Sequence, residues 1–213
     1  TLRAAIDWSY DLLSPSERLL LQRLTLFTAG FALSTAESAC AWGEIQREDV
    51  LELLSSLVSK SLVVAETLQG SEARYRLLET IRQYAQEKLS ASGEWVSAHD
   101  HYLACFLRLV EEIAPKLREQ YQQLWFDWLE TENDNIRAAL AWALEQQRIE
   151  AGLRIGTALF SFWLTRAYIR EGYTWFERLL NQADDKVPLA VHVNALTWSS
   201  VLASDLMPKF CNE

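Results

Sequence analysis

The sequence predicts a mainly helical protein in which a winged-helix domain with a small β-hairpin precedes a domain of tetratricopeptide-like helical repeats. Three observations lead to this fold class. The 213 residues include nine tryptophans but only seven glycines and four prolines, a composition typical of packed helices. One hairpin pattern follows the first helices, and paired helical stripes with short joins fill the rest of the chain.

Capping signals mark the first helices. Ser14 followed by Glu17 predicts a capping box at the start of the second helix. The same pattern at residues 34–37 predicts the start of a third helix, which Gly43 is expected to end. A broad apolar stripe over residues 47–61 predicts the next helix.

A β-hairpin follows these helices. The runs "SLVVAE" and "ARYRLL", separated by turn residues, predict its two arms, and helical spacing resumes toward Leu89. Helices followed by a hairpin are the order of a winged helix. Because Ser92 and Gly93 form the best linker in the chain, we assign the winged-helix domain to residues 1–92 and the helical-repeat domain to residues 93–213.

The second domain reads as helices with short joins. The polar run "ETENDN" is expected to break one helix, with Asn133 or Asp134 as the cap of the next. The last helix has no partner before the chain ends, so we expect the array to be truncated at its C-terminal end. Part of the tetratricopeptide pattern is present at Leu159, Trp163, Gly172 and Phe176.

The sequence contains no coherent catalytic, cofactor-binding or metal site. No glycine is followed by lysine, so a phosphate-binding loop is missing. His99 and His101 are two residues apart and do not share a helix face, which favours a capping or solvated role over metal binding. We therefore expect a chain that is not an enzyme by itself.

Cysteine usage and hydropathy suggest the compartment. The three cysteines, Cys40, Cys105 and Cys211, are odd in number and widely spaced, which favours reduced thiols in the cytoplasm. No stretch reaches the roughly eighteen apolar residues of a membrane span. We expect a cytoplasmic protein without a membrane partner.

Charge argues against DNA as a partner of this part of the protein. The formal net charge of −9 repels polyanions. In a winged helix the helix before the hairpin enters the major groove, and here its polar face carries Glu48, Asp49 and Glu52. Only Arg47 and Lys60, at the two ends, offset them. DNA binding remains the alternative interpretation.

Aromatic residues of the last helices suggest a binding surface. Such side chains can line a concave groove for a peptide or a partner helix. For each aromatic residue taken alone, packing in the core is the competing interpretation. The candidate groove consists of Tyr168, Tyr173, Trp175 and Trp198.

Four segments, "TLRAAIDWSYDLLSPSERLLLQRL", "VLELLSSLVSKSLVV", "RYRLLETIRQYAQEKL" and "LWFDWLETENDNIRAALAWALE", carry a family resemblance. They resemble the region after the nucleotide-binding domain in bacterial STAND-class, NB-ARC-like signal-transduction ATPases, often described as transcriptional regulators. The resemblance implies a switch protein: an upstream core that binds ATP or ADP, a winged helix packed on that core, and repeats that sense a protein or small-molecule ligand. The cofactor is expected in the parent protein and not in this chain.

The resemblance also points to a candidate interdomain switch region. In related proteins a Met-His-Asp motif after the hairpin touches bound ADP, and its histidine position falls on Leu78, which has no hydrogen-bond donor in its side chain. Glu79 would repel phosphate, and only Arg82 could reach an anion. We therefore predict a non-catalytic regulatory module that couples a helical sensor to the nucleotide switch. The alternative is a DNA-binding winged-helix transcription regulator with a helical sensor domain.

Overall fold

A computed structural model describes residues 2–66 and 73–206. The chain divides into two compact units, Thr1–Cys105 and Phe106–Glu213. Gly93 ends a helix in the left-handed conformation, with φ of 80°. The predicted domain boundary at Ser92 and Gly93 stays a prediction.

The first unit consists of helices and a small antiparallel sheet. A 3-10 turn, Arg47–Asp49, leads directly into α4, and α6 begins in this unit. The elements in chain order are α1 Leu2–Asp11, α2 Pro15–Leu24, β1 Phe31–Ala32, α3 Leu33–Cys40, α4 Val50–Ser59, β2 Val64–Glu66, β3 Arg74–Arg76, α5 Glu79–Ser92 and α6 Trp95–Ile113. Helices followed by a hairpin make this unit a winged helix, as the sequence predicts.

The sheet contains one strand more than the predicted hairpin. Its order is β1-β3-β2, with Phe31 and Ala65 on either side of Tyr75. Gly30 makes the approach of β1 possible, because its φ is 74° and a Cβ there would lie 2.7 Å from the Tyr75 carbonyl oxygen. The short β1 thus depends on contacts between distant parts of the chain.

Helix α2 lies at the centre of the first unit and packs against α3, α4 and α5. Leu20 and Leu24 of α2 and Leu54 and Leu57 of α4 are fully buried. Complete burial of one such side chain stabilises the fold by about 1.5–3 kcal/mol. These contacts orient the apolar face of α4 toward the core of the first unit.

One predicted capping box is confirmed and the other is wrong. At α2, Ser14 Oγ accepts from the Glu17 amide while the Glu17 carboxylate accepts from the Ser14 amide. Helix α3 begins at Leu33, and its N-cap, Ala32, makes no side-chain capping bond. Because Ala32 belongs to β1, the chain passes from strand to helix before Ser34. Gly43, with φ of 59°, lies in the turn beyond the helix end at Cys40.

The second unit is helical throughout its described part. After the end of α6, a 3-10 turn, Ala114–Arg118, precedes four long helices. No helix among the described residues is both long and apolar enough to cross a membrane. The four helices are α7 Gln122–Glu145, α8 Ile149–Thr165, α9 Ile169–Leu180 and α10 Leu189–Leu206.

The predicted helix break at "ETENDN" is wrong. Helix α7 continues through it, and Glu132 and Asn135 have no exposed surface. The Asn135 side-chain amide donates to the Glu132 carboxylate at 2.6 Å. Since this hydrogen bond satisfies the polar groups that lie inside the unit, the helix continues through the polar run, and Glu130, Thr131 and Asp134 are exposed. Asn133 and Asp134 therefore lie within one helix and cap none.

Glycines allow α8 and α9 to pack closely. Gly156 of α8 faces the ring of Phe176, and Gly172 of α9 faces the indole of Trp163. Trp163 and Phe176, both buried, meet edge to face with ring centroids 5.7 Å apart. Gly152 of α8 likewise faces Leu179 of α9, so small residues lie where the two helices pack.

Replacement of Gly172 should destabilise the second unit. A Cβ there would lie 2.6 Å from Trp163 Cδ2, so we expect Gly172→Ala to lower the free energy of unfolding by about 1–3 kcal/mol through overpacking. Urea denaturation followed by circular dichroism measures this change.

Gly156→Ala is the matched control. Its Cβ would lie 3.0 Å from the Phe176 ring, and the gain in helix propensity of about 1 kcal/mol offsets the milder contact. Wild-type stability of Gly172→Ala would contradict the packing described for Trp163.

Candidate functional site

Helix α4 corresponds to the helix that a winged helix presents to a partner. Contacts of its buried face with the rest of the unit hold it in place. Its buried face carries Val50, Leu54 and Leu57. The carboxylate of Glu17, on α2, accepts hydrogen bonds from Ser56 Oγ and Lys60 Nζ, each at 2.5 Å. These contacts leave the opposite face of α4 outward.

Glu17 is ionised although it is only 6% exposed. Burial raises the pKa of its carboxyl, but hydrogen bonds from Lys60, Ser56 and Ser14 outweigh burial and bring the pKa to about 2. A charged carboxylate inside the fold is stable only with such donors around it. Helix α4 therefore stays tied to α2 at neutral pH.

The outward face of α4 and the preceding turn are acidic and partly apolar. Glu48, Asp49 and Glu52 are exposed, and half of the Leu51 surface is accessible. Ser55 Oγ donates to the Leu51 carbonyl oxygen. Phosphates approaching this face would meet carboxylates first.

The two cations at the ends of this face form ion pairs within the chain. Arg47 pairs with Glu37 at 3.0 Å, and Lys60 pairs with Glu17. The exposed Arg47 pair contributes about 1 kcal/mol or less and can exchange for a ligand. Lys60 is held more firmly because its partner is buried.

The hairpin carries two arginines, Arg74 and Arg76. Arg76 forms an ion pair with Glu66 across the two strands, and Arg74 Nη2 donates to the Ala29 carbonyl oxygen at 3.4 Å. The tip of the hairpin, residues 67–72, lies outside the described residues. The charge of Arg76 is thus already balanced by a strand neighbour.

The three residues of the candidate switch region lie together at the start of α5. Leu78 is the N-cap residue and is 42% exposed. Arg82 Nε and Nη2 donate to the Glu79 carboxylate at 2.9 and 2.8 Å, and the hydrogen bond from Arg82 lowers the pKa of Glu79. Because these two charges satisfy each other, Arg82 would have to leave Glu79 to bind an anion. The switch role stays a prediction.

The four aromatic residues of the candidate groove do not line one cavity. Tyr168 and Trp175 share a cavity of about 580 Å³ in the second unit. Trp198 stacks on Phe160 with ring centroids 4.2 Å apart, and Tyr173 does not line that cavity. The structure therefore brings together two of the four.

Metal and nucleophile chemistry receive no support from the described residues. No group of three or more metal-ligating side chains occurs among them, and His99 Nδ1 bonds the Trp95 carbonyl oxygen at 2.8 Å. Burial raises the pKa of the Cys40 thiol to about 12, so this residue is no thiolate nucleophile at neutral pH. Cys40 and Cys105 are buried thiols, and Cys211 lies outside the described residues.

Sequence reasoning missed a buried arginine, Arg23, whose contacts support the winged helix. Arg23 is 2% exposed, and its Nη1 donates to the carbonyl oxygens of Cys40 and Trp42, both at 2.9 Å. Its guanidinium lies 3.5 Å from the Trp42 ring centroid, and the Trp42 ring stacks on His101. An arginine inside the apolar run "LLLQRL" is the signal that could have revealed these contacts.

Replacement of Arg23 should be costly for the first unit. Arg23→Met would remove two hydrogen bonds to the Cys40 and Trp42 carbonyl oxygens, the stacking on the Trp42 ring and the ion pair to Glu94 at 3.3 Å. We expect a loss of about 2–4 kcal/mol in the free energy of unfolding. Arg3→Met, which removes an exposed pair with Glu87, should cost much less, because exposed ion pairs contribute little to stability. Equal losses in urea denaturation would contradict a structural role for Arg23.

Comparison with known proteins agrees with this geometry. A family model described as a winged helix-turn-helix domain matches residues 13–90. Proteins named "Putative HTH-type transcriptional regulator" from Mycobacterium bovis and from Mycobacterium tuberculosis H37Rv are each 39% identical over 207 residues, which cover 96% of this chain and 23% of the relative. An uncharacterized protein of Mycobacterium tuberculosis H37Rv is 47% identical over 95 residues, covering 44% of this chain and 24% of that protein.

No solved structure matches the chain significantly. The chain spans about a quarter of the length of the curated relatives it matches. Residues 13–90 form a winged helix-turn-helix domain, and nearly the whole chain is homologous to a segment of proteins named as HTH-type transcriptional regulators.

Proposed function

We propose that this chain is the winged-helix segment of a larger transcriptional regulator that binds DNA. The observation that carries the proposal is the family match over residues 13–90, which spans nearly all of α2 to α5 together with the sheet. The names of the relatives support a role in transcription. The helical second unit would then act as the sensor part of the regulator.

In this proposal α4 contacts DNA with its outward face. The exposed Ser55 and Ser59 can bond base edges, and Leu51 can contact a thymine methyl group. Glu48 and Glu52 can accept a hydrogen bond from cytosine, but they repel the phosphates on either side of the groove. The affinity of this chain for DNA should therefore be low, because these carboxylates repel the phosphates.

A second candidate is a non-catalytic interaction module of the regulator, in which α4 contacts protein. The observation in its favour is the acidic outward face with an exposed Leu51 and both end cations already in ion pairs. This candidate includes the resemblance to STAND-class ATPases, the tetratricopeptide-like repeats and contact with an upstream nucleotide-binding domain. The comparisons name none of these. This candidate also includes a nucleotide bound by the parent protein and a protein or small-molecule ligand sensed by the second unit.

Neutralising the outward face of α4 should strengthen DNA binding. We expect Glu48→Gln combined with Glu52→Gln to bind a labelled random duplex about tenfold more tightly at low salt, because two charges that repel phosphate are gone. Fluorescence anisotropy at low and then physiological salt measures the affinity.

A matched variant separates this effect from net charge. Glu119→Gln combined with Glu145→Gln removes two exposed carboxylates of the second unit and should change affinity less than about twofold. Equal gains in both variants, or none in the α4 variant, would contradict contact of α4 with DNA and favour the interaction module.

A further inference from the structure

We propose that the second unit binds an acidic peptide in the cavity beside α9. We call this cavity the α9 groove. Its volume is about 580 Å³, within the range of natural ligand sites. The residues that carry the proposal are Arg137, Tyr168, Arg170, Thr174, Trp175 and Arg178.

The charge of the α9 groove is positive. Glu171, the one carboxylate among the described residues that line it, accepts two hydrogen bonds from Arg137, both at 2.6 Å. Arg137 also pairs with Asp134 outside the lining. These bonds neutralise Glu171 and Arg137 together, so the charge of the groove comes from Arg170 and Arg178.

Arg170 and Arg178 are available to a ligand. Both are exposed, and neither forms an ion pair with any described residue. Arg178 lies over the Trp175 ring, 5.2 Å from its centroid, which holds the guanidinium at the cavity edge. A guanidinium binds a carboxylate through two parallel hydrogen bonds. Helix α9 therefore exposes two guanidinium groups, each of which can bind one carboxylate.

The spacing of these arginines sets the spacing of the ligand's carboxylates. Arg170, Thr174 and Arg178 follow one another at intervals of four residues, so they share a face of α9. Eight residues of helix span about 12 Å. An extended peptide rises about 3.3 Å per residue, so carboxylates about four residues apart match both arginines. Tyr168 and Trp175 line the same groove and can contact an apolar side chain of the peptide.

The surroundings favour a peptide over a nucleic acid. Two available arginines match two carboxylates, whereas a duplex carries one charge every 1.7 Å or so. A long polyanion would also meet the exposed Asp134 and Glu177 near the groove and a chain of net charge −9. This inference does not depend on the proposed function, because every residue of the α9 groove belongs to the second unit.

Selection from a random twelve-residue peptide library against the full chain tests the proposal. We expect enrichment of peptides with two acidic residues three to five positions apart. Arg170→Gln combined with Arg178→Gln should weaken the selected peptides at least about tenfold, since each charged hydrogen-bond pair is lost. Arg108→Gln combined with Arg118→Gln, exposed arginines of the same unit, should stay within about twofold.

Three results would overturn the proposal. One is selection without acidic enrichment, and another is equal binding of acidic peptides to the Arg170→Gln, Arg178→Gln variant. The third is tighter binding of a labelled twenty-residue oligo-dT, lost in the same variant, which would assign the α9 groove to nucleic acid. Thermal melts followed by circular dichroism confirm that each variant is folded before binding is compared.

Discussion

The carboxylate of Glu17 accepts hydrogen bonds from three residues and so joins the start of α2 to the end of α4. It completes the capping box of α2 through the Ser14 amide, and it accepts hydrogen bonds from Ser56 and Lys60 at the end of α4. Together with the buried leucines, this contact fixes the rotation of α4 about its own axis. The buried Glu17 therefore determines which face of α4 is exposed to a partner.

This rotation has an electrostatic consequence. It draws Lys60 inward and leaves Glu48 and Glu52 outward, so the helix expected to meet DNA presents carboxylates. In the second unit the arrangement is reversed, since the carboxylate of Glu171 is paired and two arginines of α9 stay available. The chain thus carries an acidic surface in one unit and a small cationic groove in the other, and each would select a different partner by charge.

Much of the fold could be predicted from sequence because it depends on local signals. Apolar stripes located most helices, and the Ser14–Glu17 pattern located the start of α2. The two-residue strand β1 escaped prediction, because it exists only by pairing with Tyr75 and Arg74. The composition of the run "ETENDN" predicts a helix break, since the hydrogen bond between Asn135 and Glu132 inside the unit leaves no trace in local spacing.

The candidate site was less predictable for the same reason. The spacing predicts Glu48, Asp49 and Glu52 on the polar face of one helix; all three are exposed, but Glu48 and Asp49 lie in the 3-10 turn before α4. Spacing also could not show that Arg47 and Lys60 already have partners on other helices. Of the four predicted groove aromatics, two line one cavity, and the arginines beside them were not singled out. Ion pairs between distant segments depend on the tertiary fold, and periodicity does not encode them.

The most direct test of the role of Glu17 is the free energy of unfolding of the wild type and of Glu17→Gln, measured in urea from pH 7 to pH 2. The folded-state pKa is about 2, below the ordinary value of 4.5, so the stability due to this carboxylate is present above about pH 5 and disappears toward pH 2. We predict that the wild type is about 2 kcal/mol more stable at pH 7 and that the two curves converge on acidification. Parallel curves, or equal stability at pH 7, would contradict the central position of Glu17.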